Sequence, residues 1–486
     1  MPHVTIVGGG IAGLATAFYL QKKSAEAGLP LDYTLVEREP RFGGKIDTAY
    51  EDEFIIEGGP DSFVTIKPHG TMLCRDLGLQ DEIIPTNDDR RNIFVLKNGK
   101  LTPFPGGYRL TIPTEFVPFA LSTLISPLGK LRMGLDLFIP PRRETGDESL
   151  AGFIRRRLGS EALDRIAGPI MAGIYVADPE KLSMQSTFPD FLRMEQQHGS
   201  LIKAMRQAKK QRAKAAATAP PPGSNGSRPP KPPAMFTSLR GGMKHLVDTL
   251  IGQLDGDLRP GSTVTGLGRQ EPGFRVTVDG PDGEESITTD AVVIATPAYV
   301  AARLVETFAP ELAEQLRQIR YVSTATVSLG YRAADVAGQH NFDGFGFMIP
   351  KSENRQILAC TWSSTKFNHR APGGDALVRV FVGGDGREHL LDLPDDELVA
   401  LARAELADIM ELSAAPVVSR VFRWPKGNAQ YDVGHLDRVA GIEAMAAAVP
   451  GLYFTGSAFR GIGIPDCVKS AIATVDQLLE QVPVGI

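Results

Sequence analysis

Cysteine is scarce: Cys74, Cys360 and Cys467 are the only three in 486 residues, far apart and without a C-x-x-C pair. That excludes a disulfide-built fold and argues against thiol–disulfide exchange and cysteine-rich zinc sites. The eight histidines stand singly, with no H-x-x-x-H spacing, so a histidine-built metal site is not expected. No apolar run reaches the ~18 residues of a membrane span. A basic excess is missing too: the formal net charge is −5, which gives no electrostatic case for nucleic acid. The amino terminus lacks a basic segment and reaches glycine after seven residues, so no signal peptide is expected. The expected compartment is cytosolic and reducing.

What is present is core material. Apolar residues make up 42% and charged residues 22%, the balance of a globular chain rather than a disordered one. The length predicts about three domains. The 51 glycines and 36 prolines exceed the usual ~7% and ~5%, which points to tight turns and close backbone–ligand approaches.

The chain opens with a buried strand, Val4–Val7, then Gly8-Gly9-Gly10-Ile11-Ala12-Gly13, a helix from Leu14 to about Ala27, and a second strand, Tyr33–Val36, ending at Glu37-Arg38. This is a βαβ start. Residues 111–138 are apolar and read as helical turns that line a pocket or touch a membrane surface. An amphipathic region follows from Ser149 to Met171. Residues 203–214 hold six cations and 220–233 seven prolines, a composition that cannot build a core. Strand patterns return at Arg275–Val278, Ala291–Ile294, Ala325–Tyr331, Ala376–Val382 and Leu452–Thr455, with a final helix from Asp466 to Leu479. The returning pieces predict a nucleotide domain assembled from several segments around an inserted one.

Gly8-x-Gly10-x-x-Gly13 stands where its chemistry requires, between a strand and a helix. The first glycine turns, the second admits a pyrophosphate, the third lets helix and strand pack closely, and the helix N-terminus attracts anions. Glu37 ends the next strand, placed for ribose hydroxyls, a few residues beyond the usual ~20. A second glycine pair, Gly43-Gly44-Lys45, and then Glu57-Gly58-Gly59-Pro60 favour a large flavin dinucleotide. Gly461-Ile462-Gly463-Ile464-Pro465-Asp466 opens the last helix, whose N-terminus would stabilise charge on reduced flavin. No second G-x-G-x-x-G offers a nicotinamide site.

In that order of motifs the sequence resembles the oxygen-dependent, FAD-containing protoporphyrinogen/coproporphyrinogen oxidases, within the wider amine-oxidase-like flavoproteins. The matching segments are Gly8–Leu14, Glu37–Ile46, Gly59–Phe63, Ser149–Gly159, Ala172–Tyr175 with Leu182-Ser183, Ser238–Met243, Ala359–Ser364, Pro425–His435 and Gly461–Val468. The resemblance covers nearly the whole chain apart from about 207–233. It implies an α/β fold: a Rossmann-type FAD-binding domain from discontinuous segments (1–66, 236–300, 420–486), an inserted α+β substrate domain (67–110, 301–419), a helical subdomain lining the substrate pocket (111–206), and a flexible loop (207–235).

The resemblance further implies that Gly8, Gly9, Gly10, Ile11, Ala12, Gly13, Glu37, Arg38, Lys45, Gly59, Pro60, Asp61, Ser62, Val264, Trp424, Ile462, Gly463 and Ile464 line the FAD. Alone, Val264 reads as a strand valine and Trp424 as a core aromatic. The implied substrate is coproporphyrinogen III, oxidised by O2 to coproporphyrin III in three rounds with hydrogen peroxide as product. Protoporphyrinogen IX is the alternative; an amine oxidase, a carotenoid desaturase or a non-catalytic FAD scaffold is further away. Buried propionates need cations, for which Lys67 and Arg91 are candidates, both readable as surface charges. Asp61 would hold its loop or face the ring nitrogens. No catalytic side chain is implied, because flavin N5 accepts hydride and the protein positions the macrocycle. Product hand-off to the next enzyme of heme biosynthesis is the implied partnership.

Overall fold

The computed structural model describes residues 1–105, 108–109, 112–113, 121–144, 146–218 and 234–481. Strand β1 (His3–Val7), helix α1 (Ile11–Glu26) and strand β2 (Asp32–Glu37) form the opening βαβ unit. β1 pairs in parallel with β2 on one side and with Ala291–Ile294 on the other. Asp257–Pro260 and Leu452–Phe454 complete a five-stranded parallel sheet. Its central strands His3–Val7 and Ala291–Ile294 are near-continuous apolar runs because helices or sheet cover both faces. α1, Lys244–Gly252 and the final helix Ile464–Gln481 pack on one face, with Ile6, Leu14, Leu35, Val293, Val468 and Val475 in one core. On the other face Val7, Val292 and Ile294 meet Phe274, Val276 and Val278 of a three-stranded antiparallel sheet.

A second, seven-stranded mixed sheet runs in the order Val418–Ala429, Tyr321–Tyr331, Ala376–Gly383, Ile357–Trp362, Gly346–Met348, Ile93–Lys97, Lys100–Pro103. Strand alternation sorts its two faces. Val327, Val378, Val380 and Val382 join Leu398 and Leu406 of the helix Asp395–Met410 in one core. Thr326 and Arg379 point the other way, toward the loop after Phe54–Glu57.

Three expected boundaries shift. Position 420 falls inside a strand: Val418–Ala429 pairs with Tyr321–Tyr331, so Trp424 rides on the second sheet. Ile83–Pro85, expected with the substrate domain, pairs through Phe236–Leu239 to Phe63–Val64 on the dinucleotide side. Residues 207–218, expected as loop, belong instead to the helix Leu201–Thr218; residues 219–233 lie outside the described residues. Within 111–138, the helix Pro127–Gly134 and the turn Leu135–Leu137 are present, while 114–120 lie outside the described residues.

The helical part is pinned by one buried ionic knot. Arg157 donates to Asp136 at 2.6 Å and to the Gly199 carbonyl at 2.8 Å, and Ser200 donates to the same Asp136 at 2.6 Å. Both charged side chains are wholly buried. Arg157→Met should therefore cost about 3–5 kcal/mol in urea denaturation by stranding the Asp136 charge, with most of the loss recovered in the Asp136→Leu/Arg157→Met double variant.

Candidate active site

The carboxyl ends of the parallel strands carry the glycine loop. Gly8 takes φ +105° to leave β1, and its N–H donates to the Val36 carbonyl at 2.8 Å. A Cβ on Gly13 would stand 1.8 Å from the Gly8 carbonyl oxygen, so only glycine lets α1 lie this close. A Cβ on Gly10 would meet nothing within 4 Å. Gly10 caps α1 without a side-chain bond to its first turn, so the free N–H groups of that turn face this open space. Ile11 and Ala12 form the turn itself.

Glu37 is already oriented. Gly9 donates to one carboxylate oxygen at 2.6 Å and Glu39 N–H to the other at 2.9 Å. Val264 lies on Thr263–Arg269, which leaves Ser262 just after that residue's N–H binds the Glu37 carbonyl at 2.9 Å. Arg38 turns to solvent and pairs with Glu39 at 2.8 Å.

Gly43 N–H donates to the Gly9 carbonyl at 2.8 Å, which lays Gly43–Lys45 against the glycine loop. Lys45 is partly buried, and that burial lowers its pKa. Among the described residues its ammonium has one hydrogen-bond partner, the Gly427 carbonyl at 2.6 Å, and no carboxylate. Gly59 passes so close that a Cβ would lie 1.9 Å from the Lys45 carbonyl oxygen. The loop continues through Pro60 to Asp61 and Ser62, whose hydroxyl donates to Asp61 at 2.6 Å. Burial pushes the Asp61 pKa up, but Lys366 and Arg379 outweigh it and hold the group below the ordinary carboxylate range. Trp424 donates to the Gly58 carbonyl at 3.0 Å and stacks on Phe422 with planes 7° apart.

The last wall is the start of the final helix. Gly461 sits at φ +149°, and its N–H donates to the Tyr431 hydroxyl at 2.7 Å. That hydroxyl donates to the Ser457 carbonyl at 3.0 Å. Tyr431 stacks on buried His435 at 4.0 Å between ring centroids. Ile462 is partly buried, Gly463 offers its carbonyl to the N–H groups of Asp466 and Cys467 at 3.0 Å each, and Ile464 opens the helix. Lys67 donates to both Asp466 oxygens at 2.7 Å. Arg91 stands exposed after the turn Asp88–Arg90, with no ion pair among the described residues.

The structure thus gathers Gly8–Gly13, Glu37 and Val264 at one end, and Lys45, Gly59–Ser62, Trp424 and Ile462–Ile464 at the other. Arg38 and Arg91 stand apart. Lys366, Arg379 and Thr326 were not singled out from sequence, and Tyr431 and Asp466 stood in quoted motifs without a site role of their own. Arg379 had a readable signal, a charge in the middle of the apolar strand Ala376–Gly383.

A family model described as flavin containing amine oxidoreductase matches residues 11–479. The chain belongs to that family. It is 37% identical over 479 residues to the coproporphyrinogen III oxidase of Bacillus subtilis (strain 168), covering 98% of each chain. It is 31% identical to protoporphyrinogen oxidase 1, chloroplastic, of Spinacia oleracea, over 98% of this chain and 84% of that one. A crystal structure from Exiguobacterium sp. 255-15, provisionally described as a protoporphyrinogen oxidase, superposes with a TM-score of 0.84 at 31% identity, covering 99% of each chain. A putrescine oxidase at 18% identity and TM-score 0.65 shares the fold.

The cofactor of this flavoprotein is FAD, and the donor set fits it. The space beyond Gly10 is open where a diphosphate would lie, the pre-oriented Glu37 would accept ribose hydroxyls, and the partly buried Lys45 has no carboxylate partner among the described residues, a place an anionic dinucleotide would fill. Gly10→Ala should leave the apoprotein's melting temperature unchanged and abolish FAD retention, whereas Gly13→Ala should lower both. Glu37→Ala should weaken FAD by about 1.5–3 kcal/mol in apoprotein titrations, the value of hydrogen bonds to a charged acceptor. Burial lowers the His435 pKa from 6.5 to about 4. The unfolded chain therefore binds that proton first, so this contribution to stability is complete above pH 6.5 and is lost as pH falls toward 4. Denaturation midpoints of His435→Phe should lack that part of the acid slope.

Proposed function

We propose that the protein oxidises coproporphyrinogen III to coproporphyrin III, with O2 as acceptor. Six hydrogens leave the macrocycle while three O2 become three hydrogen peroxide. Bound FAD supplies the two-electron oxidation of each round. The observation that carries this reading is full-length similarity to a coproporphyrinogen III oxidase at 37%, against 31% to a protoporphyrinogen oxidase. The plant relatives keep protoporphyrinogen IX as the second reading.

The chain's own work is binding and orientation. Gly8–Gly13, Glu37, Val264, Lys45, Gly59–Ser62, Trp424 and Ile462–Ile464 hold the dinucleotide. The porphyrinogen lies across the mouth between Ser62 and the final helix. Lys67, half exposed on Asp466, exchanges that carboxylate for a substrate propionate. Coproporphyrinogen carries four propionates and protoporphyrinogen two, so cations at the mouth favour the former. Burial raises the Tyr175 pKa to about 12, so its neutral ring serves as an apolar wall with a polar tip.

Anaerobic mixing with each porphyrinogen tests the reading. Coproporphyrinogen should bleach the flavin absorbance faster, and air should restore it with three peroxides per porphyrin formed. Lys67→Ala should cut kcat/KM for coproporphyrinogen by roughly tenfold through KM, less for protoporphyrinogen, with FAD content unchanged. Equal losses on both substrates would remove Lys67 from propionate selection.

A further inference from the structure

Under the Glu57–Ser62 loop lies a buried ionic cluster. Lys366 donates to the two Asp61 oxygens at 3.0 and 2.9 Å. Arg379 lies 3.3 Å from the same carboxylate and donates to the carbonyls of Glu57 and Gly59 at 3.1 and 2.7 Å. Arg370 stands behind, 3.7 Å from the Glu57 carboxylate and 2.8 Å from Ser238 Oγ, which donates to the Asp61 carbonyl at 2.7 Å. Three cations face two carboxylates, and one positive charge is left over. Side-chain exposure is 15% for Lys366, 6% for Arg379 and 1% for Arg370, so water screens that charge weakly. The Nε atoms of Arg370 and Arg379 are buried without a hydrogen-bond partner.

A loop clamp needs only a neutral pair. Surplus buried charge is costly, and it acquires a use where negative charge develops nearby. Two-electron reduction adds electron density to a flavin, and a fixed cation beside the ring favours the reduced form.

We propose that Asp61, Lys366 and Arg379 are positioning residues that hold the Gly58–Ser62 backbone against the FAD and, through their surplus positive charge, make the bound flavin easier to reduce. The inference rests on the placement of FAD along Gly59–Ser62 and is independent of which porphyrinogen is oxidised.

The test is the reduction potential of the FAD-loaded protein, measured against a reference dye with no porphyrinogen present. Lys366→Met should shift the equilibrium roughly tenfold toward oxidised flavin, about 30 mV for a two-electron couple, and Lys366→Arg should restore it. Asp61→Asn, which removes the counter-charge, should shift it the opposite way. Opposite signs of shift support the cluster's electrostatic role, whatever the change in FAD affinity. Shifts of the same sign, or none beyond about threefold, overturn it. Should Asp61→Asn fail to fold, Arg379→Met against Arg379→Lys makes the same comparison: a shift in the first alone supports the proposal, and equal shifts refute it. A wild-type protein that ignores both porphyrinogens would sink the substrate reading and leave this measurement standing.

Discussion

Three carbonyl oxygens, those of Glu57, Gly58 and Gly59, hold the two sheets in register with one another. They accept hydrogen bonds from Thr326, Trp424 and Arg379, all on strands of the second sheet. The same loop runs on into Phe63–Val64 on the dinucleotide side. A buried carbonyl left without its donor costs about 1–3 kcal/mol, so the position of one sheet dictates that of the other. The register is fixed by alternation. Thr326 and Arg379 face the loop because their neighbours Val327, Val378 and Val380 face the helix Asp395–Met410. A slip of one residue would turn every donor away and bury the charge of Arg379 among valines.

The dinucleotide end was legible in the sequence because its logic is local. Strand, glycine turn, helix and acidic strand end follow each other within forty residues, and each glycine is required by a contact inside that stretch, as Gly13 against Gly8 shows. The ionic cluster was not legible, since Lys366 meets Asp61 across 305 positions and Lys67 meets Asp466 across 399. A sequence displays charges but not which distant segment neutralises them. The misplaced boundary at 420 has a different cause. Pro425 and Gly427 interrupt the pattern of Val418–Ala429, yet the strand survives at the sheet's edge, where ladder bonds are needed on one side alone.

The chain is acidic overall, but its centre is not. Lys45 is partly buried with no carboxylate partner among the described residues, and the cations beneath Asp61 outnumber their carboxylates. Free α1 amides add partial positive charge beyond Gly10. An anionic cofactor bound at the junction, as proposed, would neutralise charges that otherwise destabilise it, so that its binding and the docking of the two sheets would reinforce one another.

Depth then divides the cations into two kinds. Arg370 and Arg379 are almost wholly buried, so their fields are strong and weakly screened. Lys67 is half exposed, its bond to Asp466 is screened, and each partner it takes costs little to release. A substrate that enters and leaves each cycle needs a cation of the second kind, whereas a resident cofactor needs the first. The Gly59–Ser62 loop connects them, since its glycine touches Lys45, its Asp61 anchors the buried cluster, and the chain leaving it ends at Lys67 within five residues. On the proposed reading, one short segment would serve both the permanent ligand on its inner side and the exchanging one at its rim.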